Sequence, residues 1–217
     1  MRDDSIFILS YRKLVAARKR TKYSKIEIHL NNNKGRRFGM IPPNILIKLL
    51  KSCPIGDGEL YEHLVGDSIA KILYGIVDSA IAGQQISIGE GFCDIEFPIC
   101  TEVIDKYPLW DRWCDQYNVK SILLEVKNMK KKAAYEDINQ LEVYLRDGDF
   151  GKLGIIVSRS GFARSADSTI RSIAKKGILI IPISHEDLQL LLEFSMQNTL
   201  KVMTFLRRRG NLILRSK

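Results

Sequence analysis

The chain has 217 residues, of which 45% are hydrophobic and 27% are charged, the composition of a globular protein with its own core. This composition excludes a collagen, an intrinsically disordered chain and a disulfide-stapled miniprotein, and no apolar run is long enough to cross a bilayer. The net charge of +9 divides into +10 for residues 1–52, −7 for residues 53–200 and +6 for residues 201–217. Basic ends suit a polyanionic partner, whereas the acidic middle is consistent with either a solvated surface or a carboxylate metal site.

The cysteines and histidines do not predict a zinc site. No CxxC pair occurs among Cys53, Cys93, Cys100 and Cys114, and the three histidines lack metal-binding spacing. The N-terminus also lacks the charged-then-apolar layout of a secretory signal. We therefore expect a reducing, cytoplasmic setting with no membrane association.

The first part of the chain is basic and ends at a linker. Its predicted elements are a strand or short helix running into a basic helix at 5–19, a strand at 25–30 and a loop at 31–39. Pro42-Pro43 then begins a short helix that reaches Leu50. The stretch CPIGDG at 53–58 is the strongest linker signal, and it predicts a domain boundary.

The remainder alternates helices and strands. Apolar residues at helical spacing predict one long helix from Glu59 to about Gly83, and Trp110 and Trp113 are expected to pack an inserted helix onto the core. Strands are predicted at 85–88, 94–99, 121–126, 152–158 and 178–183. Further helices are predicted at 135–146, at 166–176 and after the cap residue Ser184. This order predicts an α/β fold with a central mixed β-sheet flanked by helices and a small basic N-terminal extension.

Asp94, Glu125 and Lys127 carry the strongest chemical signal. Asp94 opens one predicted strand, while Glu125 and Lys127 lie two residues apart at the end of another and so share a face. A carboxylate and an ammonium at the end of an apolar strand are costly unless they are paired or metal-bound. Alone, an E-x-K pattern is usually a surface ion pair and Asp94 could be a turn residue, so only the combination indicates catalysis.

These residues resemble the PD-(D/E)XK signature of the restriction-endonuclease-like nucleases. The segment from Gly91 through Asp94 to Phe97 is similar to the glycine-then-aspartate strand of the Mrr-like (type IV restriction) branch, and LLEVKN at 123–128 is similar to its E-h-K-N strand. The next helix resembles the branch in its Q-x-x-x-Y pattern, and the strand after it resembles the branch in its S-R-S-G-F turn. The resemblance covers residues 59–195.

The resemblance implies a Mg²⁺-dependent nuclease, with Mn²⁺ as a substitute, that hydrolyses DNA in a prokaryotic defence or mobile-element setting. Asp94 and Glu125 would hold the metal, and Lys127 would stabilise charge on the pentacovalent phosphorus or orient the water. Gln140 and Tyr144 would face the site and contact water or the nucleic-acid backbone.

The sequence departs from the signature in two ways. Cys93 stands where the signature has proline, and the long separation of Asp94 from Glu125 requires an insertion at 99–120. If that insertion is absent, Glu96 on the same face would replace Asp94. Glu62 could match a helix glutamate that supports the metal in the family, with Glu59 as its competitor.

Further cations are assigned to nucleic-acid contact. The residues with this assignment, besides Tyr144, are Lys130, Lys131, Arg159, Arg18, Lys19, Arg20, Arg36 and Arg37. The alternatives are a solvated turn for the lysines at 130–132, a loop cap at 158–160, an oligomerisation surface for the N-terminal clusters and a solvated helix end for the C-terminal arginines.

The predicted domains are a basic N-terminal segment at 1–58, a nuclease-like domain at 59–200 and a basic tail at 201–217. Duplex cleavage would require a homodimer or a larger complex. Three alternatives remain open: a nuclease-fold DNA-binding or structural subunit that does not cut, the same fold acting on RNA or branched DNA, and a docking module of a larger complex.

Overall fold

The structure is a computed structural model that describes residues 41–77, 81–82, 93–101 and 106–215. The chain divides into two compact units, Met1–Gly35 and Arg36–Lys217, and the described residues all belong to the second. The elements predicted at 5–19, 25–30, 31–39 and 85–88 lie outside the described residues, as do Arg18, Lys19, Arg20, Arg36 and Arg37.

Helices and strands alternate along most of the described chain. In chain order they are α1 (Pro43–Ser52), α2 (Gly58–Ile72), β1 (Ile81–Ala82), β2 (Ile95–Pro98), α3 (Pro108–Tyr117), β3 (Ser121–Lys127), α4 (Tyr135–Asp147), β4 (Leu153–Ser158), α5 (Arg164–Lys175), β5 (Leu179–Ser184), α6 (His185–Gln197) and α7 (Thr199–Arg215).

Among the described residues, five strands form one mixed sheet in the order β1-β2-β3-β4-β5. The first three pair antiparallel, and β3, β4 and β5 are parallel neighbours. Each parallel connection crosses through a helix, as parallel pairing requires. The predicted α/β class with a central mixed sheet is confirmed.

Strand β3 lies at the centre of the sheet and has a buried apolar stretch from Ile122 to Leu124. Helices α1, α2 and α6 pack together, with α2 against β3 and α6 against β4 and β5. Helices α4 and α5 cover the face that carries Leu123 of β3, Ile156 of β4 and Ile180 of β5. Because side chains alternate along a strand, Glu125 and Lys127 point to the same side as Leu123.

The predicted domain boundary does not coincide with a division of the structure. Residues 53–58 form the turn between α1 and α2, and these helices pack against each other within the second compact unit. Pro54, Gly56 and Gly58 gave the linker signal because a tight turn between packed helices uses the same residue types as a flexible linker.

Helix α2 ends at Ile72, well before the predicted end near Gly83. Gly75 follows in a turn with φ of +83°, a conformation that favours glycine, and Ile81 begins strand β1. Leu73 and Ile76 are nevertheless fully buried. The apolar pattern therefore continues into the core after the helix has ended, which is why the spacing overestimated its length.

The C-terminal stretch is a packed helix instead of a tail. Helix α7 packs on α5, α6 and β5, with Val202 and Leu206 buried. Ser184 caps α6 as predicted, accepting a hydrogen bond from the Asp187 N–H at 3.1 Å, but α7 follows α6.

None of the described helices combines the length and apolarity that a membrane crossing needs.

The predicted insertion contains helix α3. Trp110 and Trp113 meet edge to face with ring centroids 5.3 Å apart, and both are buried. The Trp110 indole N–H also lies 3.0 Å from the Met203 sulfur. The two tryptophans therefore pack α3 against α7, which confirms their expected structural role.

Candidate active site

Asp94 and Glu125 meet across the β2–β3 pair. Ile95 is paired with Leu124 in this antiparallel register, so the preceding Asp94 lies beside Glu125. The Asp94 Oδ2 accepts a hydrogen bond from the Val126 N–H at 2.7 Å. The structure therefore brings the two predicted ligands together although the inserted helix separates them in sequence.

Cys93 fixes the start of β2 at this point. The residue is 2% exposed, and its thiol sulfur lies 3.3 Å from the Leu124 carbonyl oxygen and 3.4 Å from that of Ile95. Burial raises the pKa of the thiol, so it stays a neutral donor. Cys93 thus ties the segment that carries Asp94 to β3.

Glu125 is a buried carboxylate with one unused oxygen. The residue is 2% exposed, and its Oε1 accepts a hydrogen bond from the Lys127 Nζ at 2.6 Å. Its Oε2 is buried and has no hydrogen-bond partner among the described residues. Burial, and then the neighbouring Asp94, raises the pKa of Glu125 to about 7. A buried oxygen without a hydrogen-bond donor is costly. A ligand that brings a positive charge or a donor to the Glu125 Oε2 would therefore be favoured.

Lys127 lies between two carboxylates. Its Nζ is 2.6 Å from the Glu125 Oε1 and 3.8 Å from the Asp137 Oδ1. Burial works against the ammonium, but Glu125, Asp137 and Asp94 together raise the pKa of Lys127. Lys127 is therefore held as a cation at the end of β3.

Asp137 belongs to this site, and sequence reasoning missed it. Its Oδ2 accepts a hydrogen bond from the Ala134 N–H at 2.9 Å, which holds the carboxylate at the start of α4, where it faces Lys127. The available signal was an acidic residue in the first turn of a predicted helix, but that pattern ordinarily indicates only a helix start.

Glu62 is a third acid near the pair. It lies half-buried on α2, and burial, then Asp94, then Glu59 raise its pKa to about 7. Glu59 itself is largely exposed and lies 4.0 Å from the His63 Nε2. The Asp94 carboxylate therefore acts electrostatically on Glu62.

Glu96 does not replace Asp94. Its Oε1 accepts a hydrogen bond from the Ser121 hydroxyl at 2.6 Å, and Ser121 is at the opposite end of β3 from Lys127. Helix α3 separates β2 from β3 in sequence, and Asp94 is the acid that lies beside Glu125 in the β2–β3 register.

Gln140 and Tyr144 are not brought to the carboxylates by any described contact. The Gln140 Nε2 donates to the Tyr144 hydroxyl at 3.2 Å along the same helix face. Tyr144 is 4% exposed and packs in the cluster between α4, α5 and the sheet. Its expected contact with nucleic acid is corrected here to a core position, because the same face of α4 covers the sheet.

Arg159 is also a structural residue. Its guanidinium donates to the Leu50 carbonyl at 2.8 Å and to the Cys53 carbonyl at 3.2 Å, and lies over the Tyr61 ring at 5.3 Å. The expected contact of Arg159 with phosphate is therefore corrected, because carbonyl oxygens at the end of α1 and in the α1–α2 turn accept its N–H groups.

Tyr61 and His185 complete a buried group around Arg159 that the sequence did not suggest. The Tyr61 hydroxyl and the His185 Nδ1 are 3.1 Å apart. Burial, and then Arg159, lowers the pKa of His185 to about 4, so the imidazole is neutral near pH 7 and can share a hydrogen bond with the phenol.

The lysines at 130–132 follow the site directly. All three are exposed, in the loop between β3 and α4. The loop is fixed on both sides: the Ser160 hydroxyl donates to the Met129 carbonyl at 2.6 Å, and Ala133 pairs with the strand-like segment at Phe162. Lys130 and Lys131 therefore project from a held loop beside Lys127.

Asp94 and Glu125 supply the oxygen ligands that Mg²⁺ prefers. Among the described residues, no group of three or more His, Cys, Asp or Glu is arranged to hold a metal ion. The unpartnered Oε2 of Glu125 nevertheless fits a divalent cation, which would satisfy the orphaned oxygen and neutralise the adjacent carboxylates.

No protein-family model and no curated protein sequence matches this chain. A solved structure does: the restriction endonuclease FokI bound to DNA, with a TM-score of 0.52 and 13% sequence identity. The match covers 79% of this chain and 30% of the FokI chain. The fold is therefore restriction-endonuclease-like.

Proposed function

We propose that this chain is a metal-dependent nuclease that hydrolyses phosphodiester bonds in DNA. Glu125 carries the proposal: a buried carboxylate with an unpartnered oxygen, beside Asp94 and paired with Lys127, at the end of the central strand of this fold. Buried carboxylate oxygens in native proteins are usually paired, so an unpartnered one beside a second acid calls for a ligand.

The proposed residue roles follow from the contacts. Asp94 and Glu125 would hold Mg²⁺, or Mn²⁺ in its place, and the bound ion would neutralise phosphate oxygens and activate water. Lys127 is kept cationic by Glu125 and Asp137, so it would stabilise the negative charge that develops on the phosphoryl oxygens. This electrostatic role fits a raised pKa better than proton transfer from Lys127 does.

The proposed setting rests on the resemblance of the sequence to the Mrr-like branch. It comprises a prokaryotic defence system or mobile element, a cytoplasmic location, and a homodimer or larger complex that would cut both strands of a duplex. Lys130 and Lys131 would contact the phosphate backbone beside the site.

The first test is cleavage of supercoiled plasmid and linear single-stranded DNA with Mg²⁺, with Mn²⁺ and with EDTA. We expect metal-dependent nicking or degradation by the wild-type protein. Asp94→Asn, Glu125→Gln and Lys127→Ala should each lower the rate by about 10²-fold or more while the protein stays folded.

Glu96→Gln is the matched control, because Glu96 lies two residues after Asp94 and accepts a hydrogen bond from the Ser121 hydroxyl. It should cut at close to the wild-type rate. Wild-type cleavage by Lys127→Ala would overturn the assignment, and a folded wild-type protein that binds DNA without cutting it would support a non-cleaving nuclease-fold subunit.

A further inference from the structure

Tyr135 is an exposed aromatic residue at the edge of the sheet where β3 ends. It is the first residue of α4 and is 50% exposed. Two residues later, Asp137 faces the Lys127 ammonium at 3.8 Å, and a rise of about 1.5 Å per residue keeps the two backbone positions about 3 Å apart along the helix axis. Residues two apart on a helix do not face each other, so the Tyr135 ring borders the candidate active site without facing Lys127.

The start of α4 is fixed beside the start of α5. Ala133 and Phe162 form a parallel bridge, in which the Ala163 N–H donates to the Ala133 carbonyl at 2.9 Å. The two chain segments then enter α4 at Tyr135 and α5 at Arg164. Tyr135 and Arg164 therefore lie on adjoining backbone, at the starts of two neighbouring helices.

Exposed cations lie on both segments that flank Tyr135. The loop before α4 exposes the lysines at 130–132, and the start of α5 exposes Arg164. Glu136 is the exposed acid in the first turn of α4, so positive charge is in excess around Tyr135. Such a surface complements phosphate groups, and an aromatic ring within it adds a platform on which a nucleobase can stack.

The structure of nucleic acids limits which bases can stack on such a ring. In a duplex the neighbouring base pairs cover the faces of each base, and only the base edges are open in the grooves. A protein ring can therefore stack on a base only where that base is unpaired or turned out of the helix. Stacking needs no hydrogen bond to a base edge and tolerates every base. A ring at this position thus selects for unpaired strand and not for sequence.

We propose that the Tyr135 ring stacks on an unpaired base near the scissile phosphate, and that Lys132 and Arg164 contact the phosphates that flank this base. The substrate class is then DNA with a single-stranded segment at the cut site. This inference rests on the proposed nuclease function, and it gives a role to Tyr135 that involves neither the carboxylates nor Lys127.

The test compares two DNA probes bound by the full chain carrying Asp94→Asn, which prevents cleavage and serves as the parent protein. One probe is a blunt duplex, and the other is the same duplex with a single-stranded overhang that contains 2-aminopurine, whose fluorescence reports stacking. Tyr135→Ala should weaken binding of the overhang probe by at least about fivefold, the lower end of the cost of losing one stacked base. It should also abolish the fluorescence change that the parent protein produces, and binding of the blunt duplex should be unchanged.

Two further variants identify which property of the Tyr135 side chain acts. Tyr135→Phe keeps the ring without the hydroxyl and should bind the overhang probe as the parent does. Tyr135→Leu keeps apolar bulk without a flat ring and should bind as weakly as Tyr135→Ala, so it replaces the alanine variant if that variant fails to fold. Arg164→Ala should reduce the slope of log K against log salt on the overhang probe by about 0.7, the value for one phosphate contact on a single strand.

Tyr74→Ala is the matched control, because Tyr74 is 78% exposed but lies at the other edge of the sheet. It follows the C-terminal end of α2, and the nearby Val77 pairs with Ile99. The Ile99 N–H donates to the carbonyl of Lys120, just before β3 begins, at 2.9 Å. Tyr74→Ala should therefore leave the binding of both probes unchanged.

Three outcomes would overturn the inference alone. They are parent affinity for the overhang probe in Tyr135→Ala, an equal loss on the blunt duplex, and a loss in Tyr135→Phe, which would indicate a hydroxyl contact with phosphate. Plasmid cleavage by the wild-type protein tests the proposed function separately. Cleavage without any effect of Tyr135 rejects the stacking role and keeps the nuclease, whereas neither cleavage nor binding of either probe rejects both.

Discussion

Because Lys127 lies between Glu125 and Asp137, the contribution of Asp137 to cleavage can be tested separately from that of Glu125. Asp137→Asn keeps an oxygen that can accept from the Ala134 N–H but removes the charge 3.8 Å from the ammonium. We expect the single-turnover cleavage rate to fall by at most about tenfold, about 1.4 kcal/mol, with little change in thermal stability. Asp137→Ala should slow cleavage similarly and also cost about 1 kcal/mol of stability, because the helix start loses its acceptor.

Glu136→Gln is the control for Asp137, since it changes an exposed carboxylate in the same turn of α4. It should alter neither rate nor stability. If the Asp137→Asn variant cuts as fast as the wild type, Lys127 is positioned by Glu125 alone.

Residue patterns along the chain predicted that Asp94, Glu125 and Lys127 would lie together, because strand alternation and sequence spacing are local, and the structure brings them together. They could not indicate Asp137, whose position opposite Lys127 depends on which segments meet at the end of β3. Arg159 was assigned to phosphate because an arginine in a polar turn carries no local sign that two backbone carbonyls and a phenol ring lie within its reach.

At the level of elements, α7 depends on a close contact with α3. An ideal Cβ on Gly210 would lie 2.9 Å from the Trp113 Cζ2, and Trp113 is buried. We expect Gly210→Ala to lower the free energy of unfolding by about 1–2 kcal/mol, because overpacking of about 1–3 kcal/mol outweighs a helix-propensity gain of up to about 1 kcal/mol. Urea unfolding of the two proteins measures the difference.

Two further variants identify the cause. Asn211→Ala changes the adjacent exposed residue and should be neutral or slightly stabilising. In a Trp113→Phe background, which removes the ring atoms that face Gly210, the Gly210→Ala change should no longer destabilise. Stabilisation by Gly210→Ala in the wild-type background would contradict the packing argument.

The helices and strands that could be predicted are those whose sequence pattern lies entirely within the element itself. The apolar runs of β3, β4 and β5 and the cap of α6 indicated these elements near their observed bounds. Helix α7 was taken for a tail because its cations dominate the composition, although Val202, Leu206 and Gly210 recur at helical spacing. The end of α2 could not be predicted, since Leu73 and Ile76 remain in the core beyond the helix.

At the scale of the whole molecule, the proposed metal binding and the proposed nucleic-acid binding require groups of opposite charge. Residues 53–200 carry a net −7, and the end of β3 brings Glu125 and Asp137 to Lys127, with Asp94 beside Glu125. Such a site favours a divalent cation and repels a phosphate backbone. The proposed nucleic-acid binding therefore needs cations outside the carboxylates. Besides the basic ends of the chain, Lys130 and Lys131 in the loop after β3 are the described cations that follow Lys127 most closely.

This division predicts where the salt dependence of DNA binding originates. Lys130→Ala/Lys131→Ala, made in an Asp94→Asn background to prevent cleavage, should reduce the slope of log K against log salt by about 2, about one for each lost phosphate contact. Lys120→Ala/Lys152→Ala removes two lysines that directly precede β3 and β4, at the opposite edge of the sheet, and should leave the slope nearly unchanged. Fluorescence anisotropy of a labelled duplex between 50 and 200 mM KCl, the range in which counterion release is readily measured, gives both slopes. Equal losses in the two double variants would mean that DNA responds to net charge alone, whereas a loss confined to Lys130 and Lys131 would place the backbone at the same edge as Glu125.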